Sequence, residues 1–447
     1  MLDLLLNYEH KVREIESLCL IKIEMENRGY KVAFSCTYDE DRVRFKYFKK
    51  AKVVVASTLY NDACLFEFVY RISGYTKKVV NLQWEQSLTN FDESNKDFYQ
   101  NPKGFAKEAV HLCWGEASKN RLLKNGVPED RAIVVGPIQM DLLNPFFLNY
   151  YETKSQLAKK FNLDDSKEWI LFISSFTYTN MTKETYEEEL KCYGERLNEF
   201  KELSIKSKAE ILKWIEDALK LYPNKLFIYR PHPSEKEDQR LNYLLSNYPN
   251  FRVINDLSVK QWIKTSEKIF TWYSTAAAEV YFSNKNFQIL RPFEIPFDWE
   301  VTIYNNSKKL TCYEDYIFSI ENNTNAFPLD LRILNSYYNI NKELTSTIRI
   351  CDILEQMILT DNFDMRKHRS NLKIYITYQR VRHRLFFIIK EFLTNFNKSI
   401  FIFKNINDKL VKHVSIMNRM QNDRIKNQVS KKELEKIVSK IKFCFND

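Results

Sequence analysis

The fold is decided by the stretch Leu226-Phe-Ile-Tyr-Arg230-Pro231-His232-Pro233-Ser234-Glu235. Its first four residues are large and apolar, which predicts a strand covered on both faces of a parallel sheet. The two prolines end the strand and stiffen the turn that follows it. Ser234, with Glu237 three residues on, predicts a capping box and a helix over 235–247. The stretch is therefore one strand–turn–helix unit of an α/β fold.

Units of the same kind recur along the first 300 residues. Six strands are predicted before residue 145, at 3–7, 31–38, 53–58, 78–83, 110–114 and 132–135. Five more follow, at 169–174, 226–230, 252–254, 268–272 and 287–290. Helical patterns separate them, which predicts βαβ units and parallel sheets. Because the pattern restarts near Asn144-Pro145, we expect the GT-B arrangement of two doubly wound Rossmann-like domains facing a cleft.

The chain of 447 residues is therefore divided into domains at 1–145 and 146–340, followed by a helical, basic and aromatic tail at 341–447. The positive charge belongs to this tail. Residues 366–447 hold 20 Lys and Arg against 6 Asp and Glu, whereas the first 365 residues hold 48 against 52. This distribution argues against a nucleic-acid groove in the body and predicts an acidic surface as the partner of the tail.

The tail also carries large apolar side chains directly after its cations. Arg380, Arg382 and Arg384 precede the run Leu385–Ile389, a mixture typical of a helix in a membrane interface. We expect residues 366–447 to meet an anionic membrane surface. Packing of the tail on the body or on a partner subunit is the alternative, and RNA binding is a further option. No apolar run approaches the length of about 20 residues that spans a bilayer.

One strand end in the second half carries side chains suited to a phosphate group. Arg230 and His232 follow the strand 226–230, where a cation, an imidazole donor and a helix start come together. The chain has only 7 glycines and no Gly-rich phosphate loop, so a turn of this kind would have to bind the phosphate instead of such a loop. The structural alternative is a proline-rich turn with an incidental histidine.

A second strand end of this kind follows about 40 residues later. Ser274, the predicted N-cap, and Thr275 offer hydroxyl groups to a phosphate beside free backbone N–H groups. Glu279, about one turn into the helix, is placed to reach ribose hydroxyls. The alternative is an ordinary capped helix packed by alanines. One βα unit separates this feature from His232, so we expect both at the same edge of one sheet.

In the first half of the chain, the strand ends offer carboxylates. Glu85 follows the strand 78–83, and Glu9 holds the matching place after the first strand. Sugar transfer with inversion needs one such group to remove a proton from the acceptor hydroxyl. A solvated loop carboxylate is the alternative for each, and His111 is interpreted as a strand residue. No D-x-D motif follows a strand, so we predict a site without metal or other cofactor.

Five short segments carry a family resemblance when they are taken in order. They are Tyr8-Glu-His-Lys-Val-Arg-Glu14, Gln83-Trp-Glu-Gln86, Gly136-Pro-Ile-Gln-Met-Asp141, Arg230-Pro-His-Pro233 and Ser274-Thr275. Over roughly residues 1–300 the chain resembles the surface carbohydrate biosynthesis family of capsule and O-antigen assembly. It is similar, more distantly, to capsule and teichoic-acid transferases of the GT-B fold.

The resemblance implies roles for residues of the second half. In related bacterial sialyl and Kdo transferases, a His-Pro pair and a Ser-Ser/Thr pair hold the phosphate of a CMP-sugar. Carried over, this assigns His232 with Pro233, and Ser274 with Thr275, to donor binding, and makes 1–145 the acceptor domain. The acidic-acidic-Gly motif of those sialyltransferases is absent here, so Glu85 and Glu9 stay candidates by position alone.

The resulting hypothesis is an inverting glycosyltransferase on the inner face of the plasma membrane, in the cytoplasm. It would transfer a sugar from a nucleotide donor, such as a CMP-sugar, to a surface polysaccharide or lipid-linked glycan. A CDP-polyol phosphotransferase of the teichoic-acid type would use the same cleft, and a sugar-nucleotide epimerase also has two Rossmann halves. A non-catalytic scaffold of a polysaccharide assembly complex is the fourth reading.

Overall fold

The structure is a computed structural model that describes residues 2–37, 50–323, 326–339, 345–365, 374–379, 381–382, 385 and 426–445. Its strands are β1 (Leu2–Tyr8), β2 (Val32–Cys36), β3 (Ala51–Ala56), β4 (Lys78–Asn81), β5 (Val110–Cys113), β6 (Ala132–Val134), β7 (Glu168–Ile173), β8 (Lys225–Arg230), β9 (Phe251–Val253), β10 (Lys268–Thr271) and β11 (Gln288–Ile289). Each of the eleven predicted strands overlaps one of these.

The α-helices named in the following sections are numbered along the chain. They are α1 (Lys11–Asn27), α2 (Asp62–Leu65), α3 (Arg71–Ser73), α4 (Asn90–Ser94), α5 (Glu116–Lys124), α6 (Lys154–Phe161), α7 (Lys183–Tyr193), α8 (Arg196–Leu221), α9 (Gln239–Asn247), α10 (Val259–Thr265), α11 (Ala277–Phe282), α12 (Tyr313–Glu321), α13 (Leu331–Tyr337), α14 (Ser346–Leu359) and α15 (Lys431–Phe443). A π-helical turn, Phe66–Tyr70, joins α2 to α3.

Contacts divide the chain into two compact units. Unit one contains Met1–Gln86, Lys96–Asp141 and Asn339–Asp447, and unit two contains Ser87–Asn95 and Leu142–Tyr338. The described residues after 339 are thus grouped with unit one. Helix α15 contacts α1 of this unit, and so does α14.

The sheet of unit one is parallel throughout, in the order β2-β1-β3-β4-β5-β6. The central strands are apolar and fully buried, as Leu4, Leu5 and Leu6 of β1 illustrate. Burial on both faces explains why their sequences show continuous apolar runs instead of alternation. The order reverses between β1 and β3, which is the position where doubly wound sheets bind ligands beyond their carboxyl ends.

The sheet of unit two is also parallel, in the order β11-β10-β7-β8-β9. Numbered within the unit, this is 5-4-1-2-3, the strand order of a Rossmann-like half, with its reversal between β7 and β10. The long helix α8 packs a row of apolar residues against this sheet, among them Ile211, Trp214 and Ile215. Two doubly wound α/β units are therefore present, as predicted.

Most of the predicted membrane segment lies outside the described residues. Of residues 380–403, the structure describes Val381, Arg382 and Leu385. Within the described part of the chain, no helix has both the length and the apolar character needed to cross a bilayer.

Candidate functional site

The candidate site of unit two lies at the carboxyl edge of its sheet, where three strands end at one level. Ile173 of β7 is paired with Arg230 of β8 on one side and with Thr271 of β10 on the other. Parallel strands lie about 4.8 Å apart, so the turns that follow β8 and β10 start about 10 Å apart. The sheet therefore brings the turns of His232 and Ser274 to the same edge, with the end of β7 between them.

The turn after β8 is closed by its own hydrogen bonds. The backbone N–H of Glu235 donates to the carbonyl oxygen of His232 at 2.8 Å, which makes residues 232–235 a β-turn with Pro233 at its second position. The N–H of Ser234 donates to Nδ1 of His232 at 3.1 Å. Because Nδ1 accepts this bond, the neutral imidazole carries its proton on Nε2. The exposed ring can thus present an N–H donor to a phosphoryl oxygen.

The predicted helix start at Ser234 and Glu235 is wrong. Helix α9 begins at Gln239, and its N-cap is Asp238, whose carboxylate accepts the N–H of Arg240 at 2.8 Å. Ser234 and Glu237 form no capping box. The side chain of Glu235, which lies between them, points into the protein. Glu235 is buried and forms an ion pair with Lys208 of α8 at 2.8 Å. The contact directs Glu235 away from a capping position and into the protein.

The guanidinium group of Arg230 has a structural role. It is buried at the end of β8 and donates to the carbonyl oxygens of Asp256, at 2.8 Å, and of Leu257. Burial lowers the pKa of Arg230 to about 10, against the opposing effect of the charge of Asp256. Leu257 has a φ of 62°, a left-handed conformation that a bulky residue rarely adopts. Arg230 therefore anchors this loop beside the turn of His232.

Ser274 is not the N-cap of the following helix. Helix α11 begins at Ala277, after Ala276, and Oγ of Ser274 accepts the N–H of Ala276 at 3.3 Å. The carbonyl oxygen of Ser274 accepts a hydrogen bond from the hydroxyl of Tyr304 at 2.6 Å. The next residue, Thr275, is exposed. The turn thus has a fixed backbone and one hydroxyl that faces solvent.

Glu279 lies within α11, two residues past its start. Burial raises the pKa of its carboxyl group, and the positive charge of Lys260 opposes this effect. Its surroundings include Tyr304 and Tyr338, whose own pKa values are raised by burial. The role predicted for Glu279, binding of ribose hydroxyls, stays a prediction.

Sequence reasoning missed the residues at the end of the central strand. Ser174 and Ser175 follow β7, at the reversal of strand order between β7 and β10. Oγ of Ser174 lies 2.5 Å from Oε2 of Glu235, whereas Oγ of Ser175 is buried without a hydrogen-bond partner among the described residues. The pair of serines directly after a buried strand was the available signal.

The candidate site of unit one surrounds Arg13 at the carboxyl edge of the other sheet. Arg13 forms an ion pair with Glu85, beyond β4, and with Glu14 at 3.1 Å. Burial opposes it, but the charges of Glu85 and Glu14, and then that of Glu9 beyond β1, raise the pKa of Arg13. The structure thus brings the two predicted carboxylates, Glu9 and Glu85, to one cluster.

Two further residues of this cluster were missed. Nε2 of His10 lies 3.9 Å from Oε1 of Glu9. Glu14 has a fully buried side chain, and burial raises the pKa of its carboxyl group to about 7 in spite of the nearby Arg13. An acidic residue in the first turn of α1 is a local signal for helix capping. It does not indicate burial, which comes from tertiary packing.

The segment containing Glu85 is fixed by its glutamines. Gln83 has a φ of 49°, and its side chain donates to the carbonyl oxygen of Glu85 at 3.1 Å. Gln86 is buried and joins β4 to β5, since it donates to the carbonyl oxygen of Leu112 and accepts the N–H of Trp114, both at 2.8 Å. These bonds place Glu85 in an exposed turn next to Arg13.

His111 is a buried residue of β5, as interpreted from the sequence. Its Nε2 donates to the carbonyl oxygen of Ala106 at 2.9 Å, so its Nδ1 accepts from the side-chain amide of Asn81 at 3.0 Å. Burial lowers the pKa of His111 to about 4. The ring is therefore a neutral structural group.

The segment before α15 borders the loop that carries Glu9. The N–H of Lys11 donates to Oδ1 of Asn427 at 3.2 Å, and the N–H of Val429 donates to the hydroxyl of Tyr8 at 3.3 Å. Nζ of Lys11 lies 3.4 Å from Oε1 of Glu433. Residues 427–433 thus hold the end of β1 from outside the sheet.

No protein-family model matches the sequence, and no curated protein gives a significant match. Among solved structures, the wall teichoic acid polymerase TagF is similar with a TM-score of 0.50 and 12% identity, over 80% of this chain and 89% of that one. S. aureus MnaA in its UDP co-structure has a TM-score of 0.49 and 12% identity, over 82% of this chain and 99% of that one.

The UDP-GlcNAc 2-epimerase of Methanocaldococcus jannaschii, in complex with UDP-GlcNAc and UDP, has a TM-score of 0.48 and 16% identity, over 79% of this chain and 99% of that one. At identities this low, the similarity concerns the fold. Together with the two strand orders described above, it defines the chain as a protein of the GT-B fold class.

Proposed function

We propose that the chain is an inverting glycosyltransferase that takes a sugar from a nucleotide donor and adds it to a surface polysaccharide or a lipid-linked glycan. The observation that carries the proposal is the edge of the sheet in unit two. There the His232 turn and the Ser274 turn flank the reversal of strand order, which is where open α/β sheets bind ligands. The turns supply an imidazole N–H, a hydroxyl and fixed backbone groups, which suit a phosphate.

In this proposal, the donor phosphate binds to His232 and Thr275, and Pro233 keeps the turn rigid. Ser274 orients the backbone of its own turn, and Glu279 binds ribose hydroxyls. Arg230 acts indirectly, since its guanidinium is engaged by backbone carbonyls. When the bond between the anomeric carbon and the phosphate oxygen breaks, the donors at this edge stabilise the negative charge that develops on the departing nucleotide.

The acceptor hydroxyl is activated by Glu9 in this scheme. Its carboxylate takes the proton while the acceptor oxygen attacks the anomeric carbon from the face opposite the nucleotide, which inverts the configuration. Glu85 is the less suitable base, because its carboxylate is already engaged by Arg13 in an ion pair. His10 lies beside Glu9, with its Nε2 at 3.9 Å from the carboxylate.

Nucleotide binding is the direct test. We would measure thermal stability with CMP, CDP, UDP and GDP, because a ligand at 100 times its Kd stabilises a protein by about 2.7 kcal/mol. Replacing His232 with Ala should remove the shift, whereas Lys236→Ala, an exposed change in the same loop, should keep it. Absence of binding to every nucleotide would contradict the proposal and favour a scaffold.

Product analysis separates the two transfer reactions. A CDP-polyol phosphotransferase breaks the donor between its two phosphates, so its product carries one donor phosphate together with the polyol. A glycosyltransferase leaves all the phosphate groups on the nucleotide, so its product carries none. Stabilisation by CMP alone would indicate a CMP-sugar donor, and stabilisation by UDP or GDP would indicate a hexose donor.

We further propose that the basic segment brings the enzyme to the anionic inner face of the plasma membrane. The proposal rests on the sequence of residues 366–447, in which cations precede an apolar run. Changing Arg380, Arg382 and Arg384 together to Ser should reduce sedimentation with vesicles that contain anionic lipid. Unchanged sedimentation, with equal binding to neutral vesicles, would contradict it.

A further inference from the structure

We propose that Glu235 is a positioning residue that fixes the His232 turn for phosphate binding, an inference that rests on the proposed function. The side chain of Glu235 is fully buried, although it belongs to a turn on the surface. A buried carboxylate is costly unless donors surround it. The contacts of Glu235 show which donors stabilise its buried carboxylate and which backbone the carboxylate holds in place.

Four donors converge on this carboxylate. Oε1 lies 2.8 Å from Nζ of Lys208 and 2.8 Å from the hydroxyl of Tyr229. Oε2 lies 2.5 Å from Oγ of Ser174 and accepts the backbone N–H of His232 at 3.2 Å. The group thus connects helix α8, strand β8 and the end of β7 to the turn.

The same ammonium group also binds a second carboxylate. Lys208 is buried and also lies 2.7 Å from Oδ2 of Asp238, the N-cap of α9. Although burial opposes it, the hydrogen bond from Lys208 lowers the pKa of Asp238. Both ends of the segment between His232 and α9 are therefore fastened to one ammonium group.

The hydrogen bond to the backbone of His232 connects this buried network to the candidate phosphate site. Glu235 accepts the N–H of His232 through its side chain and donates its own N–H to the carbonyl oxygen of His232. These reciprocal bonds fix the backbone of His232, and the Ser234 N–H then fixes the ring through Nδ1. Lys208 at Oε1 and the His232 N–H at Oε2 can only donate, so an amide in either orientation would bring its NH₂ group against a donor.

The test compares two variants of the same network. Glu235→Gln replaces one carboxylate oxygen by an NH₂ group, which faces a donor whether it lies beside Lys208 or beside the His232 N–H. Tyr229→Phe removes another donor to the same carboxylate and leaves the His232 bond in place. The readouts are the imidazole signals of His232 in NMR spectra and the Kd of the nucleotide found in the screen. The chain has 6 histidines, so His232→Ala identifies the signal.

We expect Glu235→Gln to move the His232 signals and to raise the nucleotide Kd by about tenfold or more, a change of about 1.4 kcal/mol. Tyr229→Phe should lower Tm but leave the signals and the Kd nearly unchanged. Glu235→Asp, which keeps the charge, should restore folding if Glu235→Gln is unstable. It should still shift the His232 signals, because the aspartate side chain is shorter and its carboxylate lies farther from the His232 N–H.

Unchanged His232 signals in both Glu235 variants would overturn the inference, whatever the nucleotide result. Equal disturbance by Tyr229→Phe would also overturn it, since a general loss of packing would then suffice. If the wild-type protein binds no nucleotide, the proposed function fails by itself, and the NMR comparison still decides whether Glu235 fixes the ring.

Discussion

The buried carboxyl group of Glu14 accepts the backbone N–H of Glu9 at 2.9 Å. It also accepts the N–H of His10 at 3.1 Å, so a side chain from the first turn of α1 holds the loop after β1. The proposed base is thus fixed by a neighbour that is itself ionisable. The state of this neighbour should affect the stability of unit one.

We predict that Glu14 makes the protein less stable as the pH rises. Burial raises its pKa from 4.5 to about 7, so between these values the folded protein holds a proton that the unfolded chain has lost. The bound proton contributes up to about 3 kcal/mol to the free energy of unfolding. This contribution is complete below about pH 4.5 and is lost as the pH rises through 7. Urea unfolding of wild type and Glu14→Gln at pH 5 and 8 measures it. Parallel pH profiles for the two proteins would contradict this prediction.

For His111 we predict the opposite dependence on pH. Burial lowers its pKa from 6.5 to about 4, so the unfolded chain binds a proton in this range that the folded protein excludes. Stability should therefore fall by up to about 3 kcal/mol as the pH drops from 6.5 to 4. Unfolding of His111→Gln between pH 4 and 7 should lack this loss. An equally steep loss in the variant would show that other groups cause it.

Substitution of the two carboxylates should separate their roles. Glu9→Gln should lower kcat by roughly 10²–10⁴-fold, the usual contribution of a general base, with the donor Kd unchanged. Glu85→Gln should lower kcat by less than about tenfold, because an uncharged amide only weakens its contact with Arg13. Steady-state kinetics and donor titration would measure both. A larger loss for Glu85→Gln would make Glu85 the base.

Gly136 and Gly29 form a matched pair for testing a close backbone approach. Both have positive φ, of 85° and 91°, so alanine is strained at either position. A Cβ at Gly136 would clash with the carbonyl oxygen of Asn339, whereas at Gly29 it would meet nothing within 4 Å. We expect Gly29→Ala to cost about 1 kcal/mol and Gly136→Ala at least about 2 kcal/mol more. Equal losses in chemical denaturation would rule out the steric explanation.

The strands could be predicted because their signal is local. The four apolar residues of β8 need no knowledge of the rest of the chain to indicate burial on both faces. The start of α9 could not be predicted in this way. It depends on Lys208, which lies 27 residues before Glu235 and reaches it only in the folded protein.

At the candidate sites, too, the features with a local sequence signal could be predicted and the tertiary contacts could not. Positions after strand ends were sufficient to select Glu9, Glu85, His232 and Ser274, because parallel strands end at one edge. Sequence alone gave no indication that carbonyl oxygens at 256 and 257 would engage Arg230, or that Arg13 would bind Glu85. Such partners are set by loop conformation, including the left-handed Leu257, and have no local pattern.

The contact of Lys11 with Glu433 joins residues 422 positions apart in the chain. At about 5–20 residues per second, a ribosome needs roughly 20–80 s to produce the second partner after the first. During that interval α1 lacks α15, a helix that contacts it in the finished protein. Unit one can therefore complete its packing only late in synthesis, and its nascent chain should depend on chaperones at a surface that the native protein covers.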